Sequence, residues 1–149
     1  MLLVFHPRYQ SSYFFEEAGE EVWNGVSYRK LRFQHVRGAA SPSALSLEDR
    51  VYPLEWRGEA WVEPSSGQTA RLRVELNNPL TEIGLDRISV DVEYARTEDE
   101  PQPNATWLPT FARIEAATER QLWRNEHHFS DYRHFNVKTD FTIEDPDLK

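Results

Sequence analysis

The chain has 149 residues, 25 acidic against 17 basic side chains, a net charge of −8 and no cysteine. That balance opposes a nucleic-acid or anionic-membrane role, which clustered positive charge carries, and the missing cysteine removes disulfides, thiolate metal sites and a cysteine nucleophile. Mean hydropathy is low at −0.71, yet 5 Trp, 6 Tyr and 8 Phe supply a core for one domain over residues 1–149, because each aromatic ring buries a large apolar area.

The first residues, "MLLVFHPRYQ", lack the basic start, long apolar stretch and small-residue cleavage site of a secretory signal. Leu2–Phe5 reads as a short first strand or the start of a helix. A chain opening directly in a core-like segment is expected to be a fragment of a longer protein. Asn24-Gly25 then accepts the positive φ angles of a type I′ turn. It joins a β-rich run around Tyr13-Phe14-Phe15 to a strand over Val26–Val36, where Leu31 and Phe33 alternate with Arg32 and Gln34. The carboxylates Glu16, Glu17, Glu20 and Glu21 surround Ala18-Gly19 and read as solvated charge in a turn. "GAASPSALSLEDR" has turn chemistry and no clear period, so a loop or short helix is expected around Leu45 and Leu47.

A second hairpin follows, with Glu59–Glu63 and Thr69–Leu76 joined across Pro64-Ser65-Ser66-Gly67-Gln68. Leu72, Val74 and Leu76 alternate with Arg71, Arg73 and Glu75; after Asn77-Asn78-Pro79, Ile88, Val90, Val92 and Tyr94 alternate with Ser89, Asp91 and Glu93. This predicts Leu72, Val74, Leu76, Ile88, Val90 and Val92 on one dry face, and a charged ladder of Arg71, Arg73 and Glu75 against Asp91 and Glu93 on the wet face. "RTEDEPQPNAT" is an acidic, Pro-punctuated loop whose Asn104 also matches a glycosylation acceptor, a motif common by chance. A last pair runs over Thr106–Ala116 and Gln121–Val137, and residues 138–149 form a frayed tail. The expected fold class is mainly β: a curved antiparallel meander sheet, an open half barrel with little helix.

Signals for chemistry are sparse. There is no phosphate loop, nucleophile elbow or H-E-x-x-H motif. Of His6, His35, His127, His128 and His134, the adjacent pair points to opposite faces of a strand. No metal and no cofactor is therefore expected. Glu126 and His128 share a face and supply the least favoured reading, a hydrolytic enzyme completed by His35 or Glu115. Trp61, Trp107, Phe111, Trp123 and Phe129 fill a core or line an apolar groove for a lipid-like ligand.

Four stretches, "LLVFHPRYQ", "WRGEAWVEPSSGQTARLRVEL", "WLPTFARIEA" and "HHFSDYRHFNV", carry a resemblance. In them the segment Phe5–Val137 resembles a group of uncharacterised bacterial proteins and, more distantly, the periplasmic outer-membrane lipoprotein carrier architecture. The resemblance implies a strongly curved, unclosed sheet whose concave apolar face binds acyl chains beneath helices, and an extracytoplasmic, periplasmic setting. The sequence departs from it in having almost no amphipathic helix to cover that face. The leading expectation is a non-catalytic β-sheet binding or interaction module with a protein partner; a lipid or lipoprotein carrier-like binder of a hydrophobic ligand stands second. A homodimer is expected through the amino-terminal strands, with Phe5, Tyr13 or Phe15 in contact, unless "SPSALSLEDR" folds over the face and keeps the chain monomeric.

Overall fold

Alternating apolar and polar runs pair in chain order into an open antiparallel sheet. The computed structural model describes residues 2–96 and 107–132. Its strands are β1 (Tyr13–Trp23), β2 (Val26–His35), β3 (Ala44–Leu47), β4 (Arg50–Pro53), β5 (Trp56–Val62), β6 (Thr69–Leu76), β7 (Arg87–Arg96), β8 (Trp107–Ala117) and β9 (Leu122–His128). Seven form one sheet in the order β1-β2-β5-β6-β7-β8-β9, and β3-β4 makes a separate two-stranded hairpin. Among the described residues β1 and β9 do not pair, so the sheet is mainly β, antiparallel and not closed into a barrel. The acidic loop with Asn104, His134 and the tail at 138–149 lie outside the described residues.

The turn chemistry acts where it was read. Asn24 and Gly25 adopt φ of 51° and 79°, and the β1–β2 register runs on either side of them from Trp23↔Val26 to Tyr13↔His35. The carboxylate group corrects an expectation. Glu16, Glu17, Glu20 and Glu21 lie within β1 rather than in a turn, and Ala18-Gly19 is a bulge where the register slips between Glu17 and Glu20. Gly19 takes φ of 82° there, a conformation in which a Cβ is strained.

The dry face forms as the alternation predicts. Leu72, Val74, Leu76, Val90 and Val92 are buried in one cluster with Phe33, Trp56 and Ala60, and Ile88 packs against it half-buried. A one-residue slip of β6 would reverse every one of these contacts, so the core fixes the register. Gly58 sits in this face because nothing larger fits: a Cβ there would stand 2.2 Å from the Arg73 carbonyl oxygen.

Two segments, one amino-terminal and one a hairpin, complete the fold. Of its two expected forms, Leu2–Phe5 takes the helical one and not the strand: it forms a 3₁₀ turn, followed by a second over Pro7–Ser12. Val4 is buried in the core, and the Phe5 ring meets Phe33 edge-on at 5.6 Å. Of the amino-terminal aromatics expected at a dimer contact, Tyr13 is buried and Phe5 packs against the core, while Phe15 lies 6.0 Å from Phe5 and stays 38 % exposed. "SPSALSLEDR" is neither loop nor helix but the body of the β3-β4 hairpin. Its Leu45 and the following Leu54 pack on the core, while Trp56 Nε1 donates to Ser43 Oγ at 2.6 Å and Ser41 Oγ to the Leu54 carbonyl at 2.7 Å. Short-range sequence pattern missed this hairpin because its strands have only four residues each.

Candidate functional site

The sheet register sorts the aromatic residues singled out from the sequence onto two faces. Trp61 pairs across to Lys30 and Arg71, Arg71 to Glu93, Glu93 to Phe111, and Phe111 to His128. That row lies on the charged face. Trp123 pairs with Ala116, which pairs with Ile88, so it lies on the apolar face. Phe129 stacks on His127, which pairs with Ala112 on the same apolar face. The structure brings Trp61 and Trp107 together with Tyr28, Ala70 and Trp23 in a small second cluster. It does not bring Trp61, Trp107 and Phe111 together with Trp123 and Phe129.

Trp61 is 2 % exposed although it belongs to the charged face, because cations roof it. Lys30 Nζ stands 5.6 Å from its ring and the Arg71 and Arg73 guanidinium groups 5.4 and 5.7 Å; Arg71 also lies 5.4 Å from Trp23. Such contacts are electrostatically favourable and exclude water from the indole. Each cation is in turn neutralised. Lys30 binds Glu21 at 3.0 Å and Glu59 at 3.4 Å, and Arg71 and Arg73 share Asp91. The hydrogen bond to Glu21 leads the causes that raise the Lys30 ammonium and lower Glu21 from their ordinary values. Burial works to raise the Asp91 carboxyl, but hydrogen bonds and charge from Arg71 and Arg73 outweigh it and hold the group below the usual carboxylate value. This end of the charged face is a closed lattice of paired charges, although the buried Trp61 Nε1 has no hydrogen-bond partner among the described residues.

Of the residues of the hydrolytic reading, Glu126, His128 and Glu115 share the charged face of β8–β9 but each engages another partner. Glu126 accepts from Arg113 Nε at 2.7 Å and Glu115 from Arg124 Nε at 2.6 Å, while His128 lies 5.1 Å from the Phe111 ring. His35 is on β2, with β5, β6, β7 and β8 between it and β9. It instead packs edge-on against Tyr13 at 5.0 Å, with Nε2 near the Ala40 carbonyl at 3.3 Å. Among the described residues its buried Nδ1 has no hydrogen-bond partner; it stands 3.9 Å from Glu55 Oε1, in a cleft of about 930 Å³ shared with Asn77, Asn78 and Leu80. Sequence reasoning missed this approach, since it depends on the β2–β5 register, which ends at Gln34↔Arg57 beside His35 and Glu55. Among the described residues no three His, Asp or Glu side chains converge as metal ligands.

The apolar face divides sharply. Over β2 and β5–β7 it is covered by Val4, Phe5, Tyr9, Leu45, Leu54 and Leu80, which come from outside the sheet. Over β8 and β9 that cover stops at Ala112 among the described residues. Beyond it Ile114 is 38 % exposed, Trp123 50 % and Phe129 40 %. The adjacent edge is the outer side of β9, a seven-residue strand in continuous register with β8 from Ala117↔Leu122 to Phe111↔His128. A bare apolar strip beside unpaired backbone groups is a surface suited to another polypeptide.

Comparison of the chain with protein-family models, curated proteins and solved structures returns no match. No helix among the described residues is long and apolar enough to cross a membrane.

Proposed function

We propose that the protein is a non-catalytic interaction module of the extracytoplasmic space that docks another polypeptide on the β8–β9 end of its sheet. The carrying observation is the contrast within one face among the described residues: filled and covered over β5–β7, bare at Ile114, Trp123 and Phe129. A covered core favours this reading over a carrier, because an acyl chain would have to displace Val4, Phe5 and Leu45 from well-packed positions. The β9 edge, unpaired among the described residues, supplies backbone donors and acceptors for strand addition, and the apolar strip supplies side-chain contact beside it.

A photo-crosslinking residue at position 123, with position 57 on the charged face as control, tests the proposal in cells producing the full-length protein. The expected result is a polypeptide adduct from position 123 and none from position 57. Equal labelling from both positions, no adduct at either, or a lipid adduct from position 123 would overturn it.

A further inference from the structure

We infer that the polypeptide docked on β9 is a second copy of this chain, paired antiparallel through β9 about a two-fold axis at Asn125. This rests on reading the β8–β9 end as a docking surface. The two edges of the sheet differ in what they would do to a copy of themselves. β1 carries Glu16, Glu17, Glu20 and Glu21 and a bulge, devices that blunt an edge against pairing. β9 has no bulge and no proline, and it reads Leu122-Trp123-Arg124-Asn125-Glu126-His127-His128.

The order of charges in β9 selects one register. A two-fold axis perpendicular to the sheet keeps each face on its own side, so it must pass through a residue, not between residues. Centred on Asn125, the pairing sets Arg124 opposite the partner's Glu126 and Glu126 opposite the partner's Arg124. Centred on Arg124 it would set arginine against arginine, and centred on Glu126 glutamate against glutamate. Opposite charges directly across a ladder stabilise it and like charges destabilise it.

The existing pairs extend the pattern. Arg113 opposes Glu126 and Glu115 opposes Arg124 within one chain. Across the axis the row becomes Arg113, Glu126, the partner's Arg124 and the partner's Glu115, alternating in sign throughout. On the apolar face Trp123 meets the partner's His127, and the two Asn125 amides face each other, each with a donor and an acceptor. The strips with Ile114, Trp123 and Phe129 then join into one face across both copies.

The test is sedimentation of the full chain over loading concentrations of about 1 μM to 1 mM, the range in which small interfaces assemble. The expected result is a concentration-dependent rise from 17.5 kDa to twice that mass. Arg124→Glu alone and Glu126→Arg alone place like charges across both symmetric contacts and weaken self-association about tenfold or more. Mixing the two variants restores opposite charges across the paired strands, so the mixture forms a heterodimer, and the cross-link at position 125 assigns the register. Because the chain has no cysteine, Asn125→Cys gives a single disulfide across the axis on oxidation, where strand pairing brings Cα atoms within bridging range. Circular dichroism of each variant confirms that it folds.

A 17.5 kDa species at every concentration, no rescue on mixing, or no cross-linked dimer from Asn125→Cys overturns the inference. Concentration-independent amide protection of β9 in a monomer, as intramolecular cover of that edge would give, also overturns it. A monomer that still yields a polypeptide adduct of other mass from position 123 sinks the second copy and leaves the docking surface standing.

Discussion

Arg71 donates two hydrogen bonds to Asp91, at 2.9 and 2.6 Å, along a diagonal of the β6–β7 ladder, while its direct cross-strand neighbour is Glu93. The diagonal reach lets the same guanidinium lie over both Trp23 and Trp61. One side chain therefore ties β6 to β7 through charge and to β1 and β5 through aromatic contact. It is the centre of the closed end of the charged face.

Replacing Asp91 by Asn should cost about 1.5–3 kcal/mol, the value of charge-assisted hydrogen bonds in a partly buried site. Urea denaturation measures it. The Glu75→Gln variant is the contrast: its partner Arg57 is half exposed at 2.8 Å, and the loss should stay within about 1 kcal/mol. Equal losses would show that burial of Asp91 contributes nothing.

Acid should act through the same carboxylate. The folded Asp91 value lies below 3.8, so the folded state holds fewer protons than the unfolded one between the two values. Its contribution is present above the unfolded value and is lost as pH falls through the folded one. Denaturation midpoints measured from pH 5 downward should fall more steeply for the native chain than for Asp91→Asn.

Alkali should act through Tyr13, whose hydroxyl is pushed up to about 12 by burial from an ordinary 10.0. The unfolded chain loses this proton first, so stability is full below pH 10 and declines by about 2–3 kcal/mol towards pH 12. Tyrosinate absorbance in the native state, compared with Tyr13→Phe, reports the late titration. A Tyr13→Phe chain with the same alkaline decline would reject this assignment.

Gly58→Ala should destabilise by about 3 kcal/mol, the upper end of the overpacking range. The added methyl meets backbone of β6, which cannot rotate away. Thermal unfolding of the variant checks it, and an unchanged midpoint would mean that β5 and β6 separate without penalty.

Trp123→Ser should change stability by only about 0.5 kcal/mol, since the ring is half exposed, yet it should lower binding of an apolar-surface dye. Phe33→Ala, deep in the covered core, should cost about 3–5 kcal/mol. Similar destabilisation by both would place Trp123 in the core rather than on a docking strip.

The sequence by itself determined most strands of the main sheet, their antiparallel order and the division into wet and dry faces. Those properties follow from local alternation and from turn residues such as Asn24-Gly25, which act over a few residues. The ladder of Arg71, Arg73, Asp91 and Glu93 was legible for the same reason. Tertiary structure decided the rest. Which aromatics share a face depended on register, which set Trp61 beneath cations and Trp123 on the bare strip. The Glu16–Glu21 segment became a strand because pairing with β2 outweighed its turn-like composition. Leu2–Phe5 and the β3-β4 hairpin found their places only through long-range burial against Phe33 and Trp56. The approach of His35 to Glu55 follows from the β2–β5 register, and the exposed end of β8–β9 from where the covering segments stop among the described residues, matters of long-range pairing and packing that no local pattern encodes.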